Sequence, residues 1–162
     1  MAILVYAESQ NGNFKKSAFE AVSYGRALAK ESREKLVVIS INAEDPKELA
    51  KYGSDKVISI SNSSMNNHNA QVFADSISEI SKKEGVSILV LSSTADSKYI
   101  APLIAVQLSA GLASNVVNTP ISISPLVVKR SCFTNKAFNE TKLLGDINII
   151  CVSNNSYGIH EN

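Results

Sequence analysis

Ile3-Leu4-Val5-Tyr6-Ala7 is an unbroken apolar run, and Asn11, Gly12 and Asn13 follow it as turn formers. Such a run predicts a strand buried on both faces. Phe14, Ala18, Ala21, Val22, Gly25, Leu28 and Ala29 then recur at spacings of three and four. That period predicts an amphipathic helix over about residues 15–33. Leu36 to Ile41 reads as a second buried strand. Asp45-Pro46 opens a short helix, with Asp as cap and Pro in the first turn, and Gly53 closes it. Val57 to Ile60 is a third strand. Residues 60–69, dense in Ser and Asn, read as an exposed loop. Ala70, Phe73, Ile77 and Ile80 rebuild a helical stripe that ends before Gly85, and Ser87 to Leu91 is a fourth strand. Ser92 to Asp96 turns into a helix from about Ser97 to Ala110, apolar on most of its circumference and so expected to be heavily buried.

The last third changes character. Val116-Val117, Ile121 to Ile123, Leu126 to Val128, Phe133 and Ile147 to Val152 suggest short strands between Asn, Pro and Gly turns, with no helix of useful length. Alternating strand and helix in the first two thirds predicts an α/β fold, with a mostly parallel sheet covered by helices on both faces. The late strands extend it, partly antiparallel. Residues 1–152 form one predicted domain, and 153–162 read as a polar tail or the start of a linker.

At 162 residues, 44% apolar and 19% charged, the composition is that of a soluble globular domain. The net charge of +1 leaves no electrostatic case for nucleic acid or an anionic membrane. No run approaches the roughly 18 apolar residues needed to span a bilayer, and no leader is read before the first strand. Cys132 and Cys151, each inside an apolar run, read as reduced core thiols, with a disulfide between neighbouring strands as the alternative. The cytoplasm is the expected location.

Most catalytic signatures are missing. The segment after the first strand, Glu8 to Phe14, lacks the spaced glycines through which a backbone approaches a pyrophosphate. No Gly-Lys-Ser/Thr triplet occurs. His68 and His160 lie in polar segments without partners at metal-ligand spacing, so neither a catalytic constellation nor a metal site is expected. Two places stand out. Ser93, Thr94 and Lys98, at the mouth of the helix after the fourth strand, could hold an anion with free helix N–H groups; the plainer reading has Asp96 capping that helix. Arg130, Phe133, Asn135 and Phe138, on the late strands, are candidates for an exposed docking edge. The alternative there is a solvated Arg with a core Phe.

Four segments, in order, resemble the alpha subunit of electron transfer flavoproteins. Ile3-Leu-Val-Tyr-Ala-Glu8 looks like that family's first strand. Tyr52-Gly53-Ser54-Asp55-Lys56-Val57 is similar to its Tyr-Gly-Ala-Asp-Lys-Val signature, with Ser54 in place of Ala. Ser93 to Pro102 resembles its strand-to-helix turn, and Arg130 to Ala137 its stretch of Arg, an aromatic, then Lys-Ala. Ser97, Leu103 and Asn135 depart from the usual Gly, Arg and Gly, which affects local turns and any charged contact at Leu103.

The resemblance implies the amino-terminal domain of an alpha subunit, without the carboxy-terminal flavin-binding domain. The fold it implies is a Rossmann-like three-layer sandwich, adenine nucleotide alpha hydrolase-like. It implies a scaffold, not an enzyme, packed against a beta subunit in a heterodimer that passes electrons from dehydrogenases to the respiratory chain. FAD is then expected elsewhere in alpha and AMP in beta, with no cofactor in this segment. An isolated domain could pair with itself as a homodimer. The alternative is a free-standing adenine-nucleotide binding module of the universal-stress-protein type.

Overall fold

The opening apolar run becomes β1 (Ala2–Ala7), buried at every position, in a computed structural model that describes residues 1–161. A strand with no residue fit to face water belongs at the centre of a covered sheet. Around it follow, in chain order, β2 (Ser9–Gln10), β3 (Asn13–Phe14), α1 (Lys16–Ser32), β4 (Lys35–Ile41), β5 (Lys56–Ile60), α2 (Ala70–Glu84), β6 (Val86–Ser92) and α3 (Ala95–Leu108). The last third adds β7 (Gly111–Ile123), β8 (Leu126–Cys132), β9 (Ala137–Leu143) and β10 (Asn148–Val152).

The main sheet has eight strands in the order β5-β4-β1-β6-β10-β7-β8-β9. All pairings from β5 to β7 are parallel, while β7–β8 and β8–β9 are antiparallel. Alternate residues of β1 supply the two halves of the core. Ile3 and Val5 face α1 with Leu28, Leu36 and Val38; Leu4 and Tyr6 face the α2 and α3 side with Phe73, Ile77, Ile100 and Ile104. Gly25 is what lets α1 lie so close to β1, because a Cβ there would sit 2.4 Å from Val5 Cγ2.

Several elements match the expectation closely. The short helix at Asp45-Pro46 is a 3-10 helix, Pro46–Tyr52, whose Lys47 N–H donates to Asp45 Oδ1 at 3.1 Å. It ends on Gly53 at φ 86°, a conformation that costs a residue without Cβ nothing.

Other elements differ. The polar loop contains a 3-10 turn, Ser63–Met65, that buries Met65. The cap of α3 is Thr94, not Asp96: Thr94 is extended and its Oγ1 accepts from Ser97 N–H at 3.1 Å. A hydroxyl one residue outside the helix reaches that N–H; a carboxylate already inside the first turn does not. Nor is α3 heavily buried. Tyr99 and Val106 are 69% and 82% exposed, and Pro102 is exposed with them. Only one side of α3 meets the sheet, so its further apolar side stays in solvent.

In the last third the first two expected strands fuse into β7, thirteen residues long with an irregular register. The polar β9 was missed because it alternates weakly, and the tiny β2–β3 hairpin because it is too short for periodicity. The sequence also gave no reason to place β10 between β6 and β7.

Residues 153–161, expected as a polar tail or the start of a linker, lie docked on α1; Asn162 is outside the described residues. Glu20, 5% exposed, accepts N–H bonds from Asn155, Tyr157 and Gly158 at 2.8–3.0 Å. Tyr157 packs edge-on against the buried ring of Tyr24, with centroids 5.4 Å apart. Burial pushes the Glu20 carboxyl up, but the converging backbone N–H groups outweigh that and hold it below the ordinary glutamate range.

Candidate functional site

In the order β4-β1-β6, the chain runs from β1 outward to β4 and later returns to β6 on β1's other side. The carboxyl ends of β1 and β6 therefore meet at a topological switch point, where open α/β sheets collect ligands. A cleft of about 540 Å³ opens beside it, over the ends of β1 and β4. Its base includes Tyr6, Glu8 and Ile41; Met65 and Phe73 add apolar wall, and Gln10, Asn42, Asn66 and His68 are polar.

Glu8 closes β1 and is 3% exposed. Burial at that depth demands partners, and Glu8 has two. Lys15, at the entry to α1, forms an ion pair with its Oε1, and Thr94 Oγ1 donates to its Oε2 at 2.6 Å. Lys15 also lies 3.7 Å from Asp96, which in turn lies 3.9 Å from His68. The carboxylates of Glu8 and Asp96 and, first of all, burial raise the hydroxyl pKa of Tyr6, so it stays a neutral phenol.

The three anion candidates do not converge. Thr94 is held on the cleft side by Glu8 and Ser97. Ser93 and Lys98 face a separate pocket of about 270 Å³ between α3 and β7, shared with Ser97, Pro102, Asn115 and Cys151. There the Ser93 hydroxyl is buried without a hydrogen-bond partner, and burial pushes the Cys151 thiol up to about 12, so it is no nucleophile at neutral pH.

The docking-edge candidates divide in a similar way. Phe133 is 80% and Phe138 60% exposed. Phe133, Thr134 and Asn135 all take positive φ in the β8–β9 turn, and the Ser131 hydroxyl donates to Asn135 Oδ1 at 2.5 Å. Lys129 Nζ sits 4.6 Å from the centre of the Phe138 ring. Arg130 points to the other face of β8, where its guanidinium donates to Ser114 O at 2.7 Å and Ser114 Oγ at 2.9 Å. Arg130 is thus neither a solvated nor a free edge cation; it ties β8 to β7.

Tyr6, Glu8, Lys15 and Glu44 were not singled out from the sequence. A signal existed for Glu8 alone: a carboxylate that ends a fully buried strand sits where ligands gather.

A three-layer, mostly parallel sheet with a cleft at its switch point places the molecule in the Rossmann-like α/β class. Within that class, residues 3–161 match the family described as "Electron transfer flavoprotein domain", and the chain belongs to it. It is 25% identical over 137 residues to the electron transfer flavoprotein subunit alpha of Bacillus subtilis, which covers 84% of this chain and 42% of that protein. It is 28% identical to the acryloyl-CoA reductase electron transfer subunit beta of Anaerotignum propionicum (77% of this chain, 35% of that one). With Protein FixB of Clostridium saccharobutylicum it shares 24% identity over 75% of this chain and 37% of that protein. The chain thus spans well under half the length of these relatives. Among the described residues no helix is long and apolar enough to cross a membrane.

The family name implies a flavin, but the switch-point cleft does not fit one. A dinucleotide needs backbone N–H groups and an open glycine against its pyrophosphate. Here the side chain of Glu44 covers Gly12, at 2.6 Å from where a Cβ would stand. Glu8, Glu44 and Asp96 set three carboxylates around the cleft against the ammonium of Lys15. A phosphate there would be repelled.

Proposed function

We propose that this domain is the structural half of an electron-carrying flavoprotein alpha subunit and catalyses nothing itself. It packs against a beta subunit and so steadies a flavin held by the part of alpha that this chain does not include. The complete carrier takes electrons from dehydrogenases in the cytoplasm and passes them towards the respiratory chain, with AMP held in the beta subunit. The observation that carries this reading is the pair Phe133 and Phe138, exposed on a turn and edge strand anchored to the sheet by Arg130. Exposed aromatics on a rigid frame suit a partner surface, where they bury large area at little entropic cost.

The beta subunit's docking surface is Phe133, Phe138 and Asn135, with Arg130 positioning the strand beneath them. Co-expression with a beta subunit of this family, followed by titration of purified partners, tests the placement. Alanine at Phe133 or Phe138 weakens association at least tenfold in this reading; unchanged affinity in both variants removes the surface. Mass spectrometry of the denatured chain's supernatant tests the missing cofactor: stoichiometric FAD overturns the scaffold role. The stress-protein-like nucleotide module is not favoured, because the anion candidates Ser93, Thr94 and Lys98 do not converge and Glu8 holds the Thr94 hydroxyl. Sedimentation of the isolated domain reads out the homodimer that an uncovered Phe133–Phe138 edge permits.

A further inference from the structure

The cleft that rejects a nucleotide has a chemistry of its own. Glu8, Glu44 and Asp96 line the cleft with Lys15, so three carboxylates and one ammonium leave two negative charges while His68 is neutral. A second observation is independent of that charge. Tyr6 is 3% exposed and borders the cleft. Its oxygen is not among the buried polar atoms left without a partner, so it is open to the cleft. The hydroxyl thus offers a free donor to the cleft.

An apolar wall accompanies these charges. Phe73 stands edge-on to Tyr6, centroids 6.4 Å apart, and His68 lies against Phe73 at 5.0 Å. Met65 and Ile41 continue that wall. About 540 Å³ lies within the range of small-molecule sites. A ligand that fits carries a positive charge for the carboxylates, an acceptor for the Tyr6 hydroxyl and a flat apolar body for Phe73 and Met65.

We propose that the switch-point cleft binds a small organic amine with an aromatic or flat apolar body, its ammonium between Glu44 and Asp96 and its body against Phe73. The inference does not rest on the scaffold role or the beta-subunit surface, which lie at the other end of the sheet. The cation replaces the anion that this class of fold usually takes at its switch point, because acidic side chains occupy the place of phosphate-binding glycines.

Tryptamine is the probe, with indole-3-propionate as a carboxylate of the same ring and AMP as the nucleotide. Calorimetry on the 162-residue chain reads affinity, and amide chemical shifts read location. Tryptamine binds once, with Kd below about 1 mM, and shifts the amides of Gly12, His68 and Phe73. Indole-3-propionate binds at least tenfold more weakly. Asp96→Asn costs about tenfold, in line with loss of one charge-assisted contact. Tyr6→Phe, which keeps the buried ring, costs about threefold or more for a ligand carrying an acceptor, tested with 5-hydroxytryptamine. Three results overturn the proposal: no saturable tryptamine binding, equal binding of the amine and the carboxylate, or stoichiometric AMP. Shifts confined to the α3–β7 pocket overturn it as well.

Discussion

The parallel half of the sheet and its antiparallel extension are built from the same kinds of residue but end up in different surroundings. In β1, β4, β6 and β10 nearly every position is buried, because α1 covers one face and α2 with α3 the other. In β8 and β9 burial is patchy, and β9 exposes Phe138 at an unpaired edge. The first region has consumed its apolar surface within the chain; the second has apolar surface left over. A core closed on itself marks what holds the fold. A rigid frame with aromatic residues outside marks what is available to a partner.

Breaking the first region costs most. Leu89→Ala, in the middle of β6 and fully buried, lowers unfolding free energy by about 2–5 kcal/mol through lost burial and the cavity left behind. Urea denaturation measures it, and a loss below 1 kcal/mol would mean the helices do not seal the sheet as described. Gly25→Ala forces a methyl into Val5 and costs about 1–3 kcal/mol by overpacking; a neutral result would show that α1 can lift from β1 freely.

The docked segment extends the cover of the parallel half. Glu20→Gln costs about 1–3 kcal/mol, because three N–H groups lose a charged acceptor. Exchange of the Asn155, Tyr157 and Gly158 amides quickens most. The carboxyl is held low in the folded state, so its contribution is fully present above the ordinary glutamate pKa. It is lost as pH falls through the lower folded value. The wild type therefore loses stability on acidification below about pH 4.5 that Glu20→Gln does not lose. Parallel acid profiles would refute the carboxylate's role.

The smallest effect on stability belongs to the extension. Phe138→Ala changes unfolding free energy by less than about 0.5 kcal/mol, apart from the contact with Lys129, even though it is the variant expected to weaken partner binding. A large loss of stability would place Phe138 in a core and erase the contrast.

Legibility follows the same division. Helices α1 and α2 and strands β1, β4, β5 and β6 were readable because a period of 3.6 or an unbroken apolar run reports burial directly. The Asp45 cap and Gly53 turn were readable because few residues supply that chemistry. The α3 surface misled, since apolarity states what a helix can bury and not whether anything within the chain covers it. The polar tail shows the opposite case. Polar residues 153–161 carry no hydrophobic signal, and what docks them is a carboxylate on α1 more than a hundred positions away.

Periodicity and ordered local motifs are written residue by residue, so the α/β class, the buried central strand and the family are legible in the chain alone. Only the tertiary structure decided that β10 inserts between β6 and β7, and that Thr94 turns to Glu8 and away from Ser93 and Lys98. It alone gathered Tyr6, Glu8, Glu44 and Asp96 around one cleft. Those outcomes depend on which distant segments share space, and local chemistry does not encode that until the chain has packed.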